Sequence, residues 1–457
     1  MADFVGRKAR GRDSLKSAAV PSAREFFKKR DRSIEGLRRA LRPLTPPSRG
    51  PRRVAVILSS SRGGSSFLYR MLAGHPEVYS LGGEETPFMR LWGFQWSGRW
   101  GESDALLPDG DAVAGRLGVL AGFMLARSGR LWSAPDPFPV ELYAGDCAER
   151  LLFQWPERDL RFEDLMETAL KLLEGRENTF NAEGFWADLL AGLRREGIVL
   201  DASRYDGAAP GDAEGLAPRE PPFRILCVEE PPFVVPRPRK PLERADVEDR
   251  LFLLKTSADC YRVDFLRALF PGARFLFVHL TRNPAASLNG LIDGWLSGGF
   301  YSHPVGIAEP LDIGGYSSDE KPWTRIWWKY DLPPGWERLR RASLPELAAY
   351  QWSCAHRHAL DALERVPWED QLRLSYEELL DEARFPAALE RLARFLGLDR
   401  AGLPRTASET PFVMAVKPPA PGKWKARRAE IEPLLRTPEL RETASRLGYG
   451  EPWDRWP

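Results

Sequence analysis

Three features of the chain predict an α/β protein, a three-layer fold built on a central parallel sheet with a P-loop-like anion-binding loop and long, mainly helical insertions. The first is a β-branched run, Val54–Leu58, that passes through a loop of small residues into a helix; a short continuous apolar run is the pattern of a strand buried on both faces. The second is a strand–helix–strand unit with short connections: Leu251–Leu254, then Tyr261, Phe265, Leu266 and Leu269, then Phe275–Leu280. Such a unit pairs its strands in parallel with a right-handed crossover. The third is the set of residues at the carboxyl ends of these strands, Ser59, Lys255 and Arg282, because open parallel sheets hold their ligands at that end.

At 457 residues, 43% hydrophobic and with sixteen Trp, the chain has ample material for a large core. No run approaches the ~18 apolar residues of a membrane helix, and the N-terminus has no apolar signal-peptide region. Cys147, Cys227, Cys260 and Cys354 lie far apart with no C-x-x-C pair. That argues against a zinc site or a disulfide framework and suits a reducing compartment; a cytoplasmic location is expected. The formal net charge of +2 hides an asymmetry, since residues 1–53 carry sixteen Lys and Arg against five Asp and Glu. Residues 1–52 therefore read as a basic, weakly ordered arm, with one helix over Ala23–Leu41, that could contact acidic membrane surfaces. Residues 53–457 read as one α/β domain, interrupted at about 91–248 and 301–345.

In the first unit, Ser59, Ser60, Ser61, Arg62, Gly63, Gly64, Ser65 and Ser66 separate the strand from a helix marked by Phe67, Leu68, Met71 and Leu72. A strand, a small-residue loop and a helix aim backbone N–H groups and the positive end of a helix dipole at one point, so an anion belongs there. A nucleotide-hydrolase loop places Lys after its second glycine, but here Ser65 follows Gly64 and the cation, Arg62, precedes the glycines. The first insertion suggests helices at Phe162–Leu173 and Phe185–Leu193 and a Pro-dense segment at Pro231–Pro241. The second is rich in Trp and Gly. After it come a helix over Glu346–Val366, a short strand at Leu372–Leu374, Ser375-Tyr376-Glu377-Glu378-Leu379, and an amphipathic helix ended by Gly397.

The order of these motifs resembles the sulfotransferase family, most closely its bacterial and tyrosylprotein branches. Arg62, Gly64, Ser65, Ser66 and Leu68 match the R-x-G-T-T-x-L phosphosulfate loop, with Ser for Thr and Gly63 in place of the usual Ser. Arg282, Asn283 and Pro284 match the R-[ND]-P turn that grips the other end of the donor. The family's Ser eight residues after the Arg is Gly290 here, so either Ser287 or the helix N-terminus takes its role. The resemblance implies 3′-phosphoadenosine 5′-phosphosulfate as co-substrate and no metal. It places Lys255 at the bridging oxygen of the leaving phosphate, Tyr376 near the adenine, and Lys417, Lys423 and Trp424 in a closing C-terminal loop; Trp424 could equally anchor a core. Gly83-Glu84-Glu85-Thr86 resembles the segment that supplies the base, which implies Glu85, with Glu84 or a His such as His303 as the alternative. Burial near Phe88 and Trp92 would raise a carboxyl there.

Pro87 stands where the tyrosylprotein branch has an Arg for acidic peptides, so the expected acceptor is a small molecule, glycan or lipid rather than a peptide, and no nucleic acid is expected. Trp92, Trp96, Trp100, Trp323, Trp327 and Trp328 could wall the acceptor pocket. Two other classes stay open: a phosphoryl-transferring P-loop enzyme, which wants a Lys in the loop and a carboxylate for magnesium, and a non-catalytic nucleotide-binding protein.

Overall fold

The computed structural model describes residues 23–94, 102–107, 111–156, 158–175, 180–200, 235–297, 299–410 and 420–453. After α1 (Ala23–Ala40), β1 (Arg53–Leu58) runs through the serine- and glycine-rich loop into α2 (Ser65–Ala73), and β2 (Val78–Ser80) comes next. α3 (Thr86–Leu91) follows, and the first insertion supplies α4 (Asp111–Arg127), β3 (Gly129–Leu131), α5 (Val140–Gln154), α6 (Phe162–Leu173), α7 (Ala182–Arg195), β4 (Arg239–Pro241) and α8 (Arg244–Asp249). The alternating pattern resumes with β5 (Leu251–Leu254), α9 (Val263–Leu269), β6 (Arg274–Thr281) and α10 (Pro284–Leu296). In the second insertion β7 (Tyr301–His303) and β8 (Trp328–Lys329) form an antiparallel pair. Then come α11 (Leu344–Leu363), β9 (Gln371–Ser375), α12 (Tyr376–Leu380), α13 (Phe385–Leu396), α14 (Arg428–Leu435) and α15 (Pro438–Arg446).

Seven strands form one mostly parallel sheet in the order β4-β3-β2-β5-β1-β6-β9. β1 lies between β5 and β6, with Val54 opposite Phe252 on one side and Phe275 on the other. Only β3 breaks the parallel run, pairing antiparallel with β2 and β4. Side chains alternate across the pleat: Val54, Val56 and Leu58 join Phe252, Leu254 and Phe277 in one apolar cluster, while Ala55 and Ile57 join Leu251, Leu253 and Val278 in another. Both faces are thus covered, the first by α4–α7, α9 and α11 and the second by α2 and α13. This is the three-layer arrangement the sequence predicts.

A third apolar cluster gathers α10, α11, α14, α15 and the second insertion around Trp295, Trp323, Trp327, Trp328, Trp336 and Trp352. The insertion's indoles are buried there rather than lining an open wall, and Trp424 joins them at 1% exposure. At the other end of the chain, Ile34, Leu37 and Leu41 belong to the main core. The segment read as an arm therefore contributes apolar side chains to the body from α1 onward; residues 1–22 lie outside the described residues, as do Trp96, Trp100, Cys227 and Lys417. No described helix is long and apolar enough to cross a membrane.

Candidate active site

The loop after β1 closes tightly because of where its glycines stand. Gly64 has φ +94°, and a Cβ on it would lie 2.3 Å from the Tyr376 ring; a Cβ on Gly63 would meet Ser59 Oγ at 2.2 Å. Only glycine allows this approach at the left-handed φ. Arg62 also adopts a left-handed conformation, φ +63°, which costs a non-glycine residue about 1 kcal/mol and turns its carbonyl toward β6. Arg282 Nη1 donates to that carbonyl at 2.9 Å. The Arg282 guanidinium lies over the Tyr376 ring at 5.0 Å, and that of Arg62 over Phe300 at 5.4 Å. The ends of β1 and β6 therefore meet through Arg282 and the Arg62 carbonyl, with each guanidinium laid over its own aromatic ring.

The Arg-Asn-Pro turn divides its work by residue. Arg282 faces the crevice, Asn283 caps α10 by accepting from Ala285 N at 2.8 Å, and Pro284 takes the first helical turn, where its missing N–H costs nothing. Glu377 accepts from Asn283 N at 2.8 Å and from Tyr449 Oη at 2.9 Å, tying α12 and the C-terminal segment to the tip of β6. A cavity of about 470 Å³ opens beside this turn, lined by Arg282, Tyr376, Leu380, Arg384 and Pro421 among others. Ser287 is fully buried, and its hydroxyl has no hydrogen-bond partner among the described residues. Gly290, by contrast, faces the two arginines: a Cβ there would lie 3.5 Å from Arg62 Cβ and 3.7 Å from Arg282 Nη1. Lys423 pairs with Asp293 on α10 at 3.2 Å.

Lys255, at the end of β5, donates from Nζ to Ser66 Oγ at 3.0 Å and also contacts Glu84 Oε1. Glu84 keeps part of its side chain in solvent, whereas Glu85 has none. Glu85 lies under the start of α3, where Arg262 Nη2 donates to it at 2.9 Å and Arg262 Nε donates to Asp259 at 3.0 Å. All three side chains are at zero exposure. Burial and the Asp259 carboxylate push the Glu85 carboxyl well above the usual range, with Arg262 pulling against them. The sequence anticipated the direction, but besides burial the cause is Asp259 rather than the neighbouring rings. His303 is buried too and faces Asp104 at 3.4 Å.

One residue of the loop is held from the second insertion. Asp331 accepts from Ser61 Oγ and, at 2.6 Å, from Tyr261 Oη. Its carbonyl accepts from Trp328 Nε1 at 2.9 Å and Gln351 Nε2 at 2.8 Å. Burial pushes the Asp331 carboxyl up to about 6, against the two hydroxyl donors. Because the folded value lies above the unfolded one, the folded state holds the proton longer. The resulting stability is present at low pH and lost as pH rises from about 4 through about 6, worth about 3 kcal/mol in all. Asp331→Asn is expected to remove that loss; urea unfolding of both proteins from pH 4 to 7 checks it, and parallel curves would exclude it.

Arg262, Asp259, Asp331 and Tyr261 had no motif to announce them, although Thr256 and Asp259 do form a capping box, with Asp259 accepting from Thr256 N at 3.0 Å, that the spacing T-x-x-D could have disclosed.

No protein-family model matches the chain, and no curated protein matches it. Among solved structures, the sulfotransferase domain from the curacin biosynthetic pathway matches at 14% identity and TM-score 0.35, over 89% of this chain and 100% of that one. The sulfotransferase domain from the Synechococcus PCC 7002 olefin synthase matches at 16% and 0.34, over 90% and 100%. The sulfotransferase STF9 from Mycobacterium avium matches at 12% and 0.35, over 94% and 82%. Likeness at these identities and TM-scores adds no weight to a functional reading, which rests on the crevice itself; the chain is similar to three sulfotransferase structures.

Proposed function

We propose that the chain transfers a sulfuryl group from 3′-phosphoadenosine 5′-phosphosulfate to a hydroxyl or amine acceptor. The observation that carries this reading is the bond from Arg282 Nη1 to the Arg62 carbonyl at 2.9 Å, which brings the loop after β1 and the turn after β6 into one crevice. The residues fit a donor anionic at two ends. The loop, with Arg62, and the first turn of α2 offer a cation and backbone N–H groups to the 5′ end, Arg282 offers a guanidinium fork to the 3′-phosphate, and Tyr376 offers a face to the base.

When bound, the donor supplies an activated sulfuryl group on a phosphate leaving group. Lys255 Nζ is set to offset the charge that develops on the bridging oxygen as the S–O bond breaks. The acceptor oxygen forms the new bond to sulfur, and its proton passes to a carboxylate. We assign that role to Glu84, which pairs with Lys255 and keeps contact with solvent. Glu85, the residue the sequence resemblance implies, stands behind it in the enclosed group with Arg262 and Asp259.

Calorimetric titration with 3′,5′-adenosine bisphosphate and with ATP tests the donor. Micromolar binding of the bisphosphate is expected; binding of ATP alone overturns the reading in favour of phosphoryl transfer. Gly290→Ser refines the test. Its Cβ would make ordinary contacts with both arginines, and its hydroxyl could add one hydrogen bond to a charged phosphate, so affinity for the bisphosphate is expected to rise roughly tenfold. Unchanged or weaker binding would place the 3′-phosphate elsewhere.

A further inference from the structure

A second cleft of about 500 Å³ runs along α2, lined by neither Arg62 nor Arg282. Its wall includes Ser80, Leu81 and Gly82, just before Gly83-Glu84-Glu85, and Phe88, just after. Tyr69, Arg70 and Ala73 of α2 also line it. On a helix, positions three, four and seven residues apart share one stripe, so these three continue the stripe headed by Ser66, the residue that Lys255 touches. The cleft's stretch of α2 therefore begins about one turn beyond Ser66 and runs from Tyr69 to Ala73, about 6 Å. Burial pushes the Tyr69 hydroxyl up, and Ser80, Glu85, Arg150 and Glu84 all lie close enough to act on it.

The lining has a sign. Five arginines face the cleft against three carboxylates, Asp146, Glu149 and Glu409. Two of those carboxylates are engaged in place, Glu149 by Arg127 at 2.8 Å and Asp146 by Arg239 at 2.7 Å. Arg150 lies on α5 opposite Tyr69, and burial draws its guanidinium down to about 10. Leu81, Phe88, Phe153, Val235 and Leu403 supply apolar surface between the charges. A partly desolvated cation excess around apolar walls suits a molecule with an anionic head and an apolar body.

We infer that this cleft is the acceptor site, and that the acceptor is an organic anion whose hydroxyl reaches Glu84 while its anionic group lies toward Arg150. This rests on the sulfuryl-transfer reading and adds the acceptor's class. In the step, the acceptor O–H loses its proton to the Glu84 carboxylate, the oxygen bonds to sulfur, and the bridging S–O electrons leave with the adenosine bisphosphate.

Calorimetry on the full chain tests the inference with probes in matched pairs. ω-Hydroxy acids of roughly six to fourteen carbons, sizes that a cleft of this volume admits, and 4-hydroxyphenylacetate are compared with their primary amides, which keep the shape and lose the charge. At least one acid is expected to bind about tenfold or more tighter than its amide. Arg150→Gln is expected to bring that ratio within about twofold and Arg150→Lys to restore most of it, with bisphosphate affinity unchanged in both. The wild-type comparison needs no variant, so it decides even if Arg150→Gln fails to fold: no acid preferred over its amide overturns the inference. A preference that survives Arg150→Gln in a bisphosphate-binding protein overturns it too. An acid preference without bisphosphate binding overturns the donor reading and leaves the cleft an anion site. Bisphosphate binding without acid preference overturns the cleft alone.

Discussion

Replacing Arg282 by Ala is expected to weaken 3′,5′-adenosine bisphosphate binding by about 10²-fold, or 2–3 kcal/mol, the cost of removing a charge-assisted fork from a half-buried phosphate site. The side chain has two further tasks, since it holds the Arg62 carbonyl at 2.9 Å and covers the Tyr376 ring at 5.0 Å. Losing the first releases the left-handed turn at Arg62, and losing the second uncovers the ring. Arg282→Lys is therefore expected to recover little, because an ammonium cannot reproduce a planar fork stacked on a ring. Titration calorimetry of both variants checks this. A Lys variant that binds like wild type would reduce Arg282 to a point charge.

Arg262→Met is expected to be the most destabilising single change, at about 3–5 kcal/mol. Met nearly conserves volume, so the loss comes from charge. Glu85 and Asp259, both at zero exposure, would face each other without the guanidinium between them. Burial and Asp259 already hold the Glu85 carboxyl high, and without Arg262 it rises further. A carboxyl held high keeps its proton in the folded state, so the deficit is expected to be largest at neutral pH and to shrink as pH falls. Adding Glu85→Gln and Asp259→Asn should return most of the stability, as neutral amides no longer repel. Denaturant midpoints of the single and triple variants at two pH values measure it; an equal loss in both would point to packing instead.

Much of the sheet centre was legible because each of its strands is a continuous apolar run and each ends in a residue unlike its neighbours. Leu251–Leu254 with Lys255 after it, and Phe275–Leu280 with Thr281-Arg282 after it, gave both the parallel pairing and the end at which chemistry gathers. The three strands at one side of the sheet were not legible: β2, β3 and β4 have three residues each, too few for any periodicity to register. Polar side chains paired across long sequence separations were equally hidden. Glu85 and Arg262 meet only because α3 and the turn after β5 converge, and Asp331 sits in Trp-Lys-Tyr-Asp-Leu, where nothing marks it as the partner of Ser61. The Trp residues were conspicuous for the opposite reason. Their size suggested a wall, but Trp323, Trp327 and Trp328 are at 8, 4 and 0% exposure, because α10, α11, α14 and α15 close over them.

The grip of Asp331 on Ser61 sets a rule for recombining this scaffold. Exchanging residues 301–345 for the corresponding segment of another protein would carry away the carboxylate that steadies the loop after β1, together with the carbonyl that Gln351 of α11 engages. A chimera cut at those borders would lose turnover with every acceptor, and the failure would look like a poor choice of guest. A graft that stops short of Trp328, leaving Trp328–Leu332 with the host, keeps the hinge between the two halves and lets the remainder vary.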